Sequence, residues 1–387
     1  MSRLEHGPTV LLGGMTGAVP FHGGATWAVL QYALGLERLG CRVVVAETVP
    51  RSAFAPVGTP IADSANARYV AAVMAEAGLA ERWVLLLEDS CTTAGMAYDE
   101  ILRFAAEADL VVNLGGALRH QDLLQRVARR LYVDLDPAFT QLWAQCGIDL
   151  GLEHHTHFAT YGRGLADERS SVPSDGRRWI GTVPPVVRSQ WAPGPGPGVA
   201  WTTVANWRSY GSLEHDGVHY GQKAHSWRGL FPLPHLVDEP LTVALAIDPG
   251  DASDEEQLRS NGWQLADPAR VAATPDAYRR FVRGSRGEIG VAKSGYVASR
   301  TGWVSDRSAC YLASGRPVVA QDTGLSDHLP VGEGLLCFTE VEEAADALAR
   351  VRADYGRHRR AALELAGAVF DSDHVLGALL EQAGAVT

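Results

Sequence analysis

Short apolar runs alternate with helix-patterned segments through both halves of this chain, and a proline-glycine bridge separates the halves. In the first half, Thr9 to Leu12 reads as a strand followed by Gly13-Gly14. Thr26 to Leu39 is a predicted helix carrying Leu30, Leu34 and Leu36; Gly40 stops it, and Cys41 to Ala46 is the next predicted strand. Ala65 to Ala77, Ile101 to Ala108 and Leu123 to Arg130 are predicted helices, and Leu110 to Leu114 and Leu131 to Asp134 predicted strands. Unbroken apolar strands spaced by helices imply a parallel sheet covered on both faces. Ala192-Pro193-Gly194-Pro195-Gly196-Pro197-Gly198 has too much proline and glycine for a regular element. Beyond it the alternation restarts. Val199 to Val204, Leu241 to Ile247 and Ile289 to Ala292 read as strands, Pro275 to Gly284 and Val341 to Tyr355 as helices. His358 to Ala385 reads as helical, with a break near Asp371-Ser372-Asp373. The expected division is a first domain over 1–190, a linker over 191–198, a second domain over 199–360, and terminal helices over 361–387 able to cross back to the first domain.

Composition excludes several classes of function. With 387 residues the chain is long enough for two ordinary domains, and 46% hydrophobic against 20% charged content fits a globular protein. A net charge of −11 argues against a general binder of nucleic-acid polymers or anionic membranes. The five cysteines are scattered without a C-x-x-C pair, as expected of free thiols in a reducing cytoplasm. Met1 to Pro8 has no signal-peptide apolar core, and no run approaches the roughly 18 apolar residues of a membrane span. The expectation is therefore a cytoplasmic protein with no membrane span.

The segment Trp303 to Gly324 carries the most specific information. Ser305-Asp306 is a helix N-cap signal with a carboxylate at the positive end of the helix dipole. Arg307 to Ser314 is a short amphipathic helix, Gly315 ends it, and Arg316 to Ala320 is a buried strand. Gln321-Asp322-Thr323-Gly324 turns at that strand's C-terminal end, where open α/β sheets bind ligands. Helix, Gly-x-Pro-Val-Val strand and Asp/Thr/Gly loop in this order resemble the donor-binding half of a GT-B glycosyltransferase. Asp306-Arg307-Ser308 looks like the Glu-Arg-Thr start of a spore-coat-like branch. Two positions depart from the larger retaining family (family four): its paired glutamates would fall at Gly302 and Cys310. The resemblance implies an α/β fold of two Rossmann-like domains facing each other across a cleft.

Candidate site residues follow from position and chemistry. Phe21-His22-Gly23-Gly24 follows the first strand and enters a helix, so its glycines allow close backbone approach and its free N–H groups can bind an anion. Glycine-rich loops at this place face the donor in many GT-B enzymes, which implies donor contact for Gly23 and Gly24; His22 beside them is a candidate base. Arg208 ends the first strand of the second domain and Lys223 follows. The resemblance assigns such a pair to the donor pyrophosphate, whose growing charge a guanidinium and an ammonium neutralise. Glu288 opens a strand whose end leads to Lys293, a second phosphate candidate at the same edge. Ser308 and the N–H groups near Asp306 and Arg307 sit at a helix start suited to a diphosphate; the Asp306 carboxylate could instead accept the ribose hydroxyls, and Asp322, Thr323 and Gly324 are expected to reach the donor's hydroxyls or diphosphate.

Two metal motifs are weighed and set aside. Glu153-His154-His155-Thr156-His157 holds three histidines, but none stand at i, i+4 and no HExxH occurs, so zinc is not expected. The resemblance instead gives His154 or His157 a place facing the donor sugar. Asp134-Leu135-Asp136 matches the short Asp-x-Asp of GT-A enzymes but reads as a strand end and turn before Pro137. Together the residues and the resemblance imply a metal-independent glycosyltransferase of hexosyltransferase type. It would have no cofactor beyond a nucleotide-diphosphate sugar co-substrate, and a glycan or a small molecule such as a natural product as acceptor. A nucleotide-sugar epimerase of the same fold and a non-catalytic sugar- or nucleotide-binding protein are the alternatives.

Overall fold

The structure is a computed structural model that describes residues 7–194 and 196–386. Residues 1–6, Pro195 of the expected linker and Thr387 lie outside the described residues.

The first domain is built on an eight-stranded sheet in the order β4-β3-β2-β1-β5-β6-β7-β8. Its strands are β1 (Thr9–Gly13), β2 (Arg42–Val49), β3 (Trp83–Leu87), β4 (Thr93–Gly95), β5 (Leu110–Leu114), β6 (Arg130–Asp134), β7 (His157–Thr160) and β8 (Trp179–Gly181). Only β4 runs antiparallel to its neighbour. Strand alternation explains the layering. Val10, Leu12, Val43 and Val45 point into one core with helices Gly23–Arg38 and Ala65–Glu76, whereas Leu11, Val44, Val84 and Val111 point into another with helix Tyr98–Glu107. Chain order reverses between β1, β2 and β5, which opens a crevice at the C-terminal ends of these strands.

The second domain holds a six-stranded, all-parallel sheet in the order β13-β12-β9-β14-β15-β16. These strands are β9 (Trp201–Asn206), β12 (Leu241–Ala246), β13 (Gln264–Ala266), β14 (Gly287–Gly290), β15 (Val318–Gln321) and β16 (Leu335–Phe338). A hairpin, β10 (Leu213–His215) with β11 (Val218–Tyr220), interrupts the chain after β9. Its turn is Asp216-Gly217, both with positive φ (48° and 75°), the backbone that a tight two-residue hairpin requires.

Neither the bridge nor the C-terminus hangs free. Trp191 is fully buried against Trp27, with ring centroids 4.9 Å apart. Gly198 N–H donates to Ser285 O at 3.2 Å and Arg316 to Gly196 O at 2.6 Å, pinning the bridge to the second domain. Helix Ser372–Gln382 lies on helix Gly23–Arg38, and Arg38 forks onto Asp373 at 2.9 and 3.0 Å. The helix expected over Leu123 to Arg130 is only Gln121–Leu124, because the chain must turn before starting β6 at Arg130. Strands β3, β4, β7, β8 and β16 and the hairpin were not anticipated from sequence. Among the described residues no helix is long and apolar enough to cross a membrane.

Candidate functional site

The C-terminal edges of the two sheets face each other across a cleft of about 540 Å³, within the usual range for small-molecule sites. The first domain contributes Phe21, His22, Gly24, Ala25, Leu135 and Asp136. The second contributes a charged group formed by Lys223, Lys293, Asp306 and Arg307, beside Tyr278, Tyr296 and Trp303.

Each charged side chain is placed by an element end. Arg307 is in the first turn of helix Asp306–Ala313, whose N-cap Ser305 accepts its backbone N–H at 3.2 Å. Its guanidinium donates to Val204 O at 2.8 Å and to Glu288, a fully buried side chain on β14. Burial opposes the Arg307 charge, but Glu288 outweighs it and holds the guanidinium above its ordinary range. Asp306 faces the cleft, and among the described residues only Ser305 Oγ, at 3.3 Å, is a side-chain partner; burial pushes its carboxyl up, against the pull of Arg307 and Lys223. Lys223 opens helix Lys223–Gly229. Among the described residues its side chain makes no ion pair and no hydrogen bond. Burial, then the nearby Arg307 and Lys293, push its ammonium well below the usual lysine range.

Lys293, at the end of the β14 segment, reaches across to the first domain. Its Nζ is 2.8 Å from Asp136 Oδ1, and it lies over the Tyr210 ring at 3.9 Å. The Tyr210 hydroxyl donates to the same oxygen at 2.9 Å, and so does that of Tyr296. Burial pushes the Asp136 carboxyl up, but Lys293 and the two hydroxyls outweigh it and leave it below the usual carboxylate range. Asp134, at the end of β6, is fully buried and accepts Asp136 N–H (2.9 Å), Thr140 (2.6 Å), Gln141 (3.0 Å) and Thr160 (2.8 Å). It braces the turn that delivers Asp136. Both oxygens of Asp134 are thus engaged inside the domain, and among the described residues no group of three or more acidic, histidine or cysteine side chains is placed to hold a metal.

His22 lines the cleft with Nδ1 3.0 Å from Pro20 O. A carbonyl only accepts, so Nδ1 carries the proton and Nε2 of the neutral ring is left as an acceptor. Gly23 serves the domain contact. Its N–H donates to Ala272 O at 2.7 Å, and a Cβ there would overlap the Thr274 carbonyl. Gly24 lines the cleft beside the Tyr278 ring.

The other candidates lie elsewhere. His154 precedes β7, so it stands exposed at the opposite, N-terminal edge of the sheet. Arg208 is exposed and forks onto Asp251 at 2.8 and 2.9 Å. Ser308 is buried behind Arg307. Asp322 closes its own turn by accepting Gly324 N–H (3.0 Å) and Ser326 Oγ (2.9 Å), while Thr323 donates to Trp303 O at 2.5 Å. Sequence reasoning weighed Asp136 only as part of an Asp-x-Asp motif and set it aside as a strand end and turn, and it passed over Tyr210 and Tyr296. The signal for Asp136 was its place just past the end of β6; the tyrosines carried none.

Comparison with solved structures decides the architecture. A structure of Anabaena HepE in complex with UDP superposes with a TM-score of 0.60 at 12% identity, covering 98% of this chain and all of that one. An α-glucosyltransferase in complex with UDP and a 13-mer DNA gives 0.60 at 11% identity, with 98% and 100% covered. AviGT4, a glycosyltransferase involved in avilamycin A biosynthesis, gives 0.52 at 14% identity, with 97% of each chain covered. The fold is GT-B. No protein-family model and no curated protein sequence matches the chain. In the GT-B frame, β9 and β14 are the central strands of the C-terminal domain, and the charged group stands where their C-terminal ends meet the cleft.

Proposed function

We propose that this GT-B protein is a glycosyltransferase that takes a sugar from a nucleotide-diphosphate donor, with the diphosphate held against Lys223, Lys293 and Arg307. The observation that carries the reading is Lys223. Three basic side chains converge at one edge of a partly buried cleft; Arg307 pairs with Glu288 and Lys293 with Asp136, but Lys223 makes no direct ion pair among the described residues, Glu288 and Asp306 acting on it only at longer range. A half-buried amine beside two other cations is pushed below the usual lysine range and keeps its full charge only when an anion completes the site. A diphosphate does so, and the same cations then stabilise the charge that grows on the leaving group. The donor glycosyl carbon faces the first domain, where His22 offers a free acceptor nitrogen to the incoming hydroxyl. The acceptor is a glycan or a small molecule; AviGT4, which acts in natural-product biosynthesis, supports the latter. Cations supply the charge that a divalent ion would otherwise bring, so the reaction is proposed to run without one.

HepE and the α-glucosyltransferase hold UDP, so UDP is the first probe. Calorimetric titration of UDP, GDP and ADP in the presence of EDTA is expected to show one nucleotide preferred. Lys223→Ala is expected to weaken it roughly ten- to a hundredfold, the size of a lost charge-assisted contact. Binding also has a proton signature. The diphosphate restores the charged ammonium, so between the depressed Lys223 value and the ordinary 10.5 the complex takes up a proton, and Lys223→Ala abolishes the uptake. No binding of any of the three, or binding only with Mg²⁺ or Mn²⁺, overturns the reading.

A further inference from the structure

Asp136 is the one first-domain carboxylate in the cleft lining, and the function above gives it no role. All three of its side-chain donors, Lys293, Tyr210 and Tyr296, fall on Oδ1. Oδ2 takes none among the described residues, and 36% of the side chain is accessible. The partner, Lys293, is 10% exposed and belongs to the second domain. Tyr210 approaches on the segment leading into the hairpin, packed against Trp143 and Phe139 of the first domain with ring centroids 4.5 and 5.1 Å apart. The ion pair is therefore a tie between the domains, formed in the wall of the cleft.

Lys293 is at the same time one of the cations surrounding the open position beside Lys223. An anion entering there draws on an ammonium already committed to Asp136. In a partly buried site one ammonium does not serve two anions at full strength, and the two anions repel each other. We infer, on the reading of the cleft as a diphosphate site, that Asp136 competes with the donor diphosphate for Lys293. Nucleotide binding then loosens the Asp136–Lys293 tie and uncovers the carboxylate toward the cleft. Asp136 thus sets donor affinity from the opposite domain, acting through Lys293 as a positioning residue.

A double-mutant cycle with UDP as the probe tests this. Asp136→Asn keeps the shape and removes the rival charge, so UDP is expected to bind roughly five- to twentyfold tighter. Lys293→Met is expected to weaken UDP about tenfold. In the Lys293→Met background the gain from Asp136→Asn is expected to shrink to what direct repulsion between the two anions supplies, because the competition needs the ammonium; an undiminished gain there overturns it. A purely structural role for Asp136 predicts weaker binding in both backgrounds. Melting without nucleotide reports whether each variant folds, and Asp136→Ser stands in if Asp136→Asn does not. Unchanged or weaker UDP binding in the Asp136 variant, with wild type binding normally, overturns the competition alone. If wild type binds none of UDP, GDP and ADP, the diphosphate reading falls and the competition with it.

Discussion

His22 and Lys223 divide the proposed chemistry between the two domains. The diphosphate is assigned to the second domain and the proton to the first. His22→Ala is therefore expected to lower turnover about 10²–10⁴-fold while leaving UDP affinity within a factor of two or so, because no diphosphate contact is lost. Steady-state rates alongside a UDP titration check this, and near-normal turnover removes His22 from the chemistry. Sequence made the cleft positions readable where an element end dictates them. Lys293 follows a buried strand, Arg307 begins a capped helix, and both had to emerge at the C-terminal edge. It did not make partners readable. Arg208 stands at the same edge, but its fork onto Asp251 depends on a loop 43 residues away in sequence. The candidates after β15, Asp322, Thr323 and Gly324, behave alike: Asp322 reads as a ligand-facing acid, yet its oxygens are taken by Gly324 and Ser326 of the same turn. Local hydrogen-bond competition of this kind leaves no periodicity to detect.

At the scale of elements, the loop between β1 and helix Gly23–Arg38 positions His22 and is itself held by Glu47, with Asn66 donating to Gly17 O at 2.8 Å. Glu47, on β2 and 2% exposed, accepts Gly17 N–H at 2.7 Å and Ala18 N–H at 2.5 Å. Burial raises its carboxyl from 4.5 to about 8 in spite of these donors. The sign follows from proton counts. Between 4.5 and about 8 the folded chain binds more protons at Glu47 than the unfolded chain, so this group's stabilising contribution is full below 4.5 and is lost as pH rises to 8. Thermal melting across that window is expected to show a downward slope that Glu47→Gln flattens; an identical slope in the variant overturns the assignment. The elements themselves were largely legible, because strands covered on both faces are written as apolar runs such as Leu110-Val111-Val112. Trp83-Val84-Leu85-Leu86-Leu87 had the same signature and was overlooked. The hairpin was legible only through Asp216-Gly217, a two-residue turn in a polar stretch that otherwise reads as an insertion.

At the scale of the whole molecule, the two domains are joined by more than their bridge. Helix Ser372–Gln382 buries Val375, Leu376, Leu379 and Leu380 in a core shared with Tyr32 and Leu36 of the first domain and with Tyr311 and Leu312 of the second. Leu376 and Ser372 fit against Gly35, where any larger residue would overlap them. The visible ion pair between Arg38 and Asp373 is a poor measure of this attachment, since its side chains are 48% and 34% exposed. Exposed pairs of this kind contribute about 0–1 kcal/mol, whereas losing one buried leucine to alanine costs roughly 2–5 kcal/mol. Two variants separate the contributions. Asp373→Ala is expected to lower the melting temperature by no more than a few degrees, consistent with under about 1 kcal/mol. Leu376→Ala is expected to lower it several times further, with turnover falling as the first domain's helix Gly23–Arg38, and with it His22, loses its backing. A full-length Leu376→Ala protein that melts like wild type would mean that the terminal helix merely rests on the first domain, and that the bridge, the Gly23–Ala272 contact and the Asp136–Lys293 tie hold the cleft together without it.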